Sequence, residues 1–146
     1  MKKVVRIMRD WSNRIYTNLK NYINDTNINF MQGSTQELSK FPTVTFETME
    51  NHAVSYDLSQ DKENAQTYTI EINVYTTGDG ALNIGRELFC KINECFSLMK
   101  FKREYGITQI TNVLNKNINR LVARYNRYIG SGDEIKKIEK GDNENG

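Results

Sequence analysis

The sequence predicts an α+β fold: a mixed or antiparallel four-stranded sheet with two helices packed on one of its faces, in the order helix-strand-strand-helix-strand-strand. Three observations predict it. Apolar residues recur at helical steps in Val4–Ile23 and Gly80–Met99, they alternate residue by residue in Gln66–Tyr75, and they alternate again in Ile118–Ile129 behind turn-forming residues. The chain of 146 residues is long enough for one core and short for two. No internal repeat and no linker between two apolar stretches divides it. Residues 1–130 are therefore expected to form one domain, followed by a polar tail over 131–146.

In the first helix Val4, Met8, Trp11, Ile15, Leu19, Tyr22 and Ile23 make the apolar stripe, with Arg6, Arg9, Asn13, Asn18 and Lys20 between them. Asn24-Asp25-Thr26-Asn27 ends it, because these short polar side chains bond their own backbone in turns. A polar connection leads to the first strand, Phe41–Glu50, where Val44 and Phe46 alternate with Thr43, Thr45 and Glu47, and Pro42 sits at the mouth where no ladder donor is needed. Asn51–Ala65 is mostly polar and reads as a long exposed hairpin connection, available to a neighbouring molecule, with continuation of the strand through Val54 and Tyr56 as the alternative.

The second strand, Gln66–Tyr75, points Tyr68, Ile70, Ile72 and Val74 to one side and Thr67, Thr69, Glu71 and Asn73 to the other. Thr76-Thr77-Gly78-Asp79-Gly80 breaks it and offers Thr77 or Asp79 as a helix cap. The second helix then carries Ile84, Leu88, Ile92, Cys95 and Met99 on its buried stripe, which Ala81, Phe89 and Phe96 widen. Ile107, Ile110 and Val113, after a Tyr105-Gly106 turn, suggest the third strand. Asn115-Lys116-Asn117 turns the chain into the fourth, with Leu121, Ala123, Tyr125 and Ile129 on one face and Arg120, Val122, Arg124, Asn126 and Tyr128 on the other. Beyond Gly130-Ser131-Gly132 only Ile135 and Ile138 are apolar, too few to offset ordering entropy without a binding partner.

Composition excludes several functional classes. Apolar residues at 38% and a net charge of +2 describe a polar-surfaced chain without extreme electrostatics. Eighteen Asn beside a single Pro point to an AT-rich coding sequence rather than to an activity. No apolar run approaches the roughly 20 residues that cross a bilayer, and the basic start has no cleavable leader pattern, so an intracellular, unprocessed protein without membrane contact is expected. Cys90 and Cys95 fall on different helix faces, outside disulfide geometry, as reduced thiols.

No catalytic constellation emerges. His52, the single histidine, stands in a polar segment without a cysteine or second histidine beside it. Asp57, Ser59, Asp61 and Glu63 alternate like calcium-loop ligands, but Lys62 replaces the loop glycine and Tyr68 the closing acid. Gly78-Asp79-Gly80 matches neither phosphate-binding glycine pattern. The expectation is a protein that is not an enzyme, with no catalytic residues, no cofactor and no metal. Arg120, Arg124 and Arg127 with Tyr125 and Tyr128 resemble the charged, stacking surface of single-strand nucleic-acid binders, which keeps a small nucleic-acid-binding module as the alternative. The same arginines can instead pair with acids across the sheet.

Charge layout suggests self-association. Residues 1–30 hold six Lys/Arg and two Asp, a net of +4, whereas residues 31–65 hold two Lys and six Asp/Glu, a net of −4. Opposite signs on separate segments let one copy meet the next head to tail. The candidate interface residues are Asp57, Asp61, Lys62 and Glu63 in the long loop and Arg120 and Arg124 on the last strand.

The order of elements and several strings together resemble the tail terminator proteins of long-tailed bacteriophages, also known as tail completion, minor capsid or head-tail joining proteins. The strings are Phe41-Pro42-Thr43-Val44 opening a strand, Tyr68-Thr69-Ile70-Glu71-Ile72-Asn73-Val74-Tyr75, the helix end Cys95-Phe96-Ser97-Leu98-Met99, then Phe101-Lys102-Arg103, Gln109, Asn112, and Arg120-Leu121-Val122-Ala123-Arg124-Tyr125. The resemblance spans most of residues 1–130. It implies a ring of identical subunits, usually six, that sits on the end of the tail tube, stops its polymerisation and provides the joint to the head. The partners it implies are identical subunits, the tail tube protein and a head-completion or connector protein, with nucleic acid in no more than incidental contact in the channel. The location it implies is the head-tail junction of the virion, reached from the host cytoplasm. A ring needs heterologous contacts whose rotation closes, and a long loop and segregated charge are compatible with that.

Overall fold

The computed structural model describes residues 10–33, 38–49, 52–53, 65–111 and 117–140. The elements are α1 (Ser12–Ile23), β1 (Asn29–Gln32), β2 (Thr43–Thr48), β3 (His52–Ala53), β4 (Ala65–Thr77), α2 (Ala81–Leu98), β5 (Lys102–Thr111) and β6 (Ile118–Gly130). The strands form a mixed sheet in the order β1-β2-β4-β6-β5, with the two-residue β3 pairing β4 off that path. β1 runs parallel to β2, and the other pairs are antiparallel. The α+β class is as expected; the expected four-stranded sheet is extended by β1 and β3. His52, expected in a loop, lies in β3 opposite Thr67.

The two long strands at the centre form because both alternate. Tyr68, Ile70, Ile72 and Val74 of β4 are buried, as are Leu121, Ala123, Tyr125 and Ile129 of β6. The register sets Ile70 beside Tyr125 and Ile72 beside Ala123, so both apolar rows share one face. Both helices cover that face. Phe96 of α2 stacks on Tyr125 with centroids 4.2 Å apart, Tyr16 of α1 tilts against Phe46 of β2, and Tyr68 Oη accepts the Trp11 N–H at 3.2 Å.

The helix ends have specific chemical causes. α1 starts at Ser12, whose N–H donates to Asp10 Oδ1 at 2.9 Å, later than the expected start at Val4; Val4 and Met8 lie outside the described residues. It stops where Asn24 turns left-handed at φ +49° and donates its N–H to Lys20 O, in the expected polar cluster. α2 is preceded by Gly80 at φ +71° with no side-chain cap. Neither Thr77 nor Asp79 therefore caps it, and Thr77 Oγ1 donates to Asn117 O instead. At its other end Lys100 adopts φ +65°. Lys100 N donates to Ser97 O and Phe101 N to Phe96 O, both at 2.9 Å, and the Phe96 and Phe101 rings meet edge to face at 5.3 Å. This is a Schellman C-cap with its apolar contact, built on a lysine where glycine is usual.

The buried stripe of α2 is the expected one, Ala81, Leu88, Phe89, Ile92, Cys95, Phe96 and Met99, except at its first turn. Ile84 is 43% exposed, while Gly85 is buried. A Cβ on Gly85 would stand 3.0 Å from Leu121 Cδ1, so the helix rests on β6 at the residue that lacks a side chain. β5 also differs: Tyr105 and Gly106 lie inside the strand. Its register shifts between Arg103 and Tyr105 and again between Tyr105 and Thr108, and these irregularities take the place of the expected turn. Val113 lies outside the described residues.

Residues 133–140, expected to be mobile without a partner, are packed on the chain's own helices. Ile135 and Ile138 are 1% and 9% exposed and belong to the core. Two apolar side chains suffice because the backbone between them is held by polar side chains of α1.

Candidate functional site

Two surfaces carry the polar organisation of the molecule: the sheet face turned away from the helices, and the groove on α1 that holds residues 133–140.

On the outer sheet face, strand alternation aligns Glu71, Asn73 and Tyr75 of β4 with Arg124, Val122 and Arg120 of β6. Arg120 Nε donates to Asn73 Oδ1 at 2.8 Å, Asn73 Nδ2 donates to Glu71 Oε1 at 3.1 Å, and Arg124 Nε donates to Glu71 Oε2 at 3.0 Å. The result is one hydrogen-bonded chain, Arg120-Asn73-Glu71-Arg124, along two strands. The guanidinium of Arg120 also lies 6.0 Å from the Tyr75 ring and that of Arg124 5.4 Å from the Tyr105 ring. Burial pushes the Tyr75 phenol up, while Arg120 pulls it down. Asn73 also belongs to a buried row on this face, Thr45, Asn73 and Val122, across β2, β4 and β6. Tyr105 and Tyr128, at 43% and 48% exposed, stand on the same face.

Arg120 and Arg124, expected as interface residues, are thus brought to one face, with their side chains fixed by neighbours. Pairing across the sheet is realised for Arg124. Arg127 points to the opposite side, as expected, and donates from Nη1 to Met99 O at 2.9 Å. Asp57, Asp61, Lys62 and Glu63 lie outside the described residues. What this face can do chemically is dock a complementary surface: its charges are oriented before contact, which lowers the ordering cost of association.

The groove on α1 was not signalled as a site by its residue types. Arg14, Asn18 and Asn21 follow at helical spacing and line one side of the helix. Arg14 Nη1 donates to Ile135 O at 2.8 Å, Asn18 Nδ2 to Lys136 O at 2.8 Å and Asn21 Nδ2 to Ile138 O at 2.9 Å. Asn18 Oδ1 accepts the Ile138 N–H at 2.8 Å, so this one amide pairs with the extended backbone on both its donor and its acceptor side, as a neighbouring strand would. Asn18 is fully buried; the periodicity had set it among the polar residues of the first helix. The available signal was its position three residues after Ile15 and four before Tyr22, inside the apolar stripe.

The buried thiol of Cys95 is pushed up to about 12 by desolvation, while Cys90 is exposed, which agrees with their placement on different faces. Among the described residues no group of three or more His, Cys, Asp or Glu side chains is placed to hold a metal ion, and no helix is long and apolar enough to cross a membrane. No protein-family model matches the sequence, and no curated protein is significantly similar to it.

Proposed function

We propose that this protein is a structural virion component of the tail terminator type: a ring of identical subunits, six as is usual in that family, on the end of a phage tail tube. There it ends tube polymerisation and offers the surface to which the head-completion or connector protein docks. The work is binding by shape and pairing, with no bond made or broken.

The observation that carries the reading is the outer sheet face. The network Arg120-Asn73-Glu71-Arg124 holds charged groups in fixed directions beside the exposed rings of Tyr105 and Tyr128. Preoriented polar groups with aromatic neighbours suit a protein contact that must repeat identically from subunit to subunit. The segregation of +4 and −4 between residues 1–30 and 31–65 adds a polarity that favours head-to-tail over face-to-face association. The sequence strings Phe41-Pro42-Thr43-Val44 and Arg120-Leu121-Val122-Ala123-Arg124-Tyr125, which resemble the family, fall on β2 with its lead-in and on β6.

The test is sedimentation of the protein alone and after mixing with purified tail tubes, followed by electron microscopy of the mixture. The expected result is a ring of subunits capping tube ends. A protein that stays monomeric in both conditions overturns the proposal.

A further inference from the structure

The segment 133–140 is an arm of this chain seated in a receptor groove on α1. Side chains of α1 hydrogen-bond its backbone there: Arg14, Asn18 through both ends of its amide, and Asn21. Ile135 and Ile138 are its apolar anchors. It is joined to β6 through a turn in which Asp133 N donates to Gly130 O at 3.1 Å and Gly130 N donates to Asp133 Oδ2 at 2.8 Å. Ser131 and Gly132 in that turn are exposed, and a Cβ on Gly132 would meet nothing within 4 Å. The turn itself is held by these two hydrogen bonds at an exposed, glycine-flanked hinge, and no helix or strand residue beyond Gly130 lies in it.

We infer that the arm is exchangeable between copies: in the assembled ring, residues 133–140 of one subunit seat in the α1 groove of its neighbour. The inference rests on the ring reading given above. Three features lead to it. First, the groove is not left empty cheaply: Ile135 and Ile138 of the arm belong to the core, and the Asn18 amide, which also reaches Met99 Sδ from its Nδ2, pairs with the arm's backbone through both Nδ2 and Oδ1, so an empty groove exposes apolar surface and gives up these bonds. Second, a neighbour's arm is chemically identical to the chain's own, so every contact reforms on exchange and only the hinge changes conformation. Third, a ring that sets a groove within reach of an adjacent hinge raises the effective concentration of the neighbour's arm far above that in free solution. The expected states are thus a self-seated arm in the free subunit and an exchanged arm in the ring, where exchange ties each subunit to the next through buried contacts.

The experiment uses the full chain with Cys90→Ser, Thr17→Cys and Lys137→Cys, treated with a short bis-maleimide before and after assembly on tail tubes and run on a denaturing gel. Thr17 and Lys137 are exposed and line the same stretch of groove, and neither side chain makes the bonds that hold the arm. The free protein is expected to give an intramolecular link that runs as monomer, and the ring a ladder of linked subunits up to the ring size. Rings that yield only the monomer band overturn the exchange and leave the ring reading standing. Failure to form any oligomer on tubes overturns both. A second variant lacking Ser131 and Gly132 cannot reverse the chain after β6; it is expected to become a concentration-dependent oligomer without tubes. A folded monomer from that variant, with its arm open to protease, counts against the groove's capacity to accept an arm from another copy.

Discussion

Asn18 and Ile138 are 120 positions apart in sequence, yet the Asn18 side-chain oxygen accepts the Ile138 backbone N–H at 2.8 Å in a buried setting. The same amide donates to the Lys136 carbonyl. Asn18→Ala is therefore expected to leave two backbone groups of the arm unpaired at once. An unsatisfied buried group costs ~1–3 kcal/mol, so the loss of stability should be about 2–4 kcal/mol. Urea unfolding measures it. Limited trypsin digestion supplies a local readout, because Lys136 and Lys137 lie within the arm and should be cut faster in the variant than in the parent.

Lys100 occupies the left-handed position of the C-cap that follows α2, at φ +65°. A Cβ is disfavoured there, and the neighbouring hydrogen bonds Lys100 N to Ser97 O and Phe101 N to Phe96 O use backbone atoms alone. Lys100→Gly keeps both bonds and removes the strain, with an expected gain of about 0.5–1 kcal/mol. A rise in the urea midpoint at unchanged slope is the signature. A fall in the midpoint indicates that the lysine side chain contributes more than its backbone strain costs.

What the sequence made legible, and what it did not, divides along the range of the interactions involved. The apolar face of β4 could be read because Tyr68, Ile70, Ile72 and Val74 alternate without a break, and the same holds for Leu121, Ala123, Tyr125 and Ile129 of β6. β1 was hidden because Asn29-Phe30-Met31-Gln32 is short and sits at the sheet edge, where half-buried polar residues blur the period. Gly85 displaced Ile84 from the buried stripe of α2 through a close approach to Leu121, which no single-segment pattern contains. The α1 groove needed two segments at opposite ends of the chain to be seen together, since Asn18 becomes a core residue only once the arm's backbone supplies its partners. Of the expected interface residues, Arg120 and Arg124 share a face because β6 alternates, but their engagement with Asn73 and Glu71 followed from the β4–β6 register.

Gly106 packs its backbone directly against β6. At φ +90° it has a conformation that side chains rarely adopt, and a Cβ there would lie 2.3 Å from the Val122 carbonyl oxygen and 2.9 Å from Ala123 Cα. Neither neighbour is the flexible tip of a side chain, so Gly106→Ala must push β5 away from β6. A loss of at least about 2 kcal/mol is expected, in the range of other backbone clashes at special positions. Gly132→Ala is the control: it lies in open space and should change stability by less than about 0.5 kcal/mol. Equal effects from the two substitutions would contradict the packing of β5 described here.

Tyr22 links stability to alkaline pH. Its side chain is buried between the helices, and its hydroxyl donates to Glu94 Oε2 at 2.8 Å. Burial first, then the hydrogen bond and charge of Glu94, push the phenol up to about 12 from an ordinary value of 10.0. The folded state holds this proton more tightly than the unfolded chain does, so the stabilisation is fully present below pH ~10 and drains away as the pH rises towards the folded value. Unfolding free energy should thus fall over that alkaline window, and Tyr22→Phe should flatten the part of the fall that Tyr22 causes. At neutral pH the same substitution removes one hydrogen bond to a carboxylate that is itself exposed, for a cost of about 0.5–1.5 kcal/mol. Urea midpoints across the window, compared between parent and variant, check both statements: parallel pH profiles would show that Tyr22 ionises with the same affinity whether or not the chain is folded.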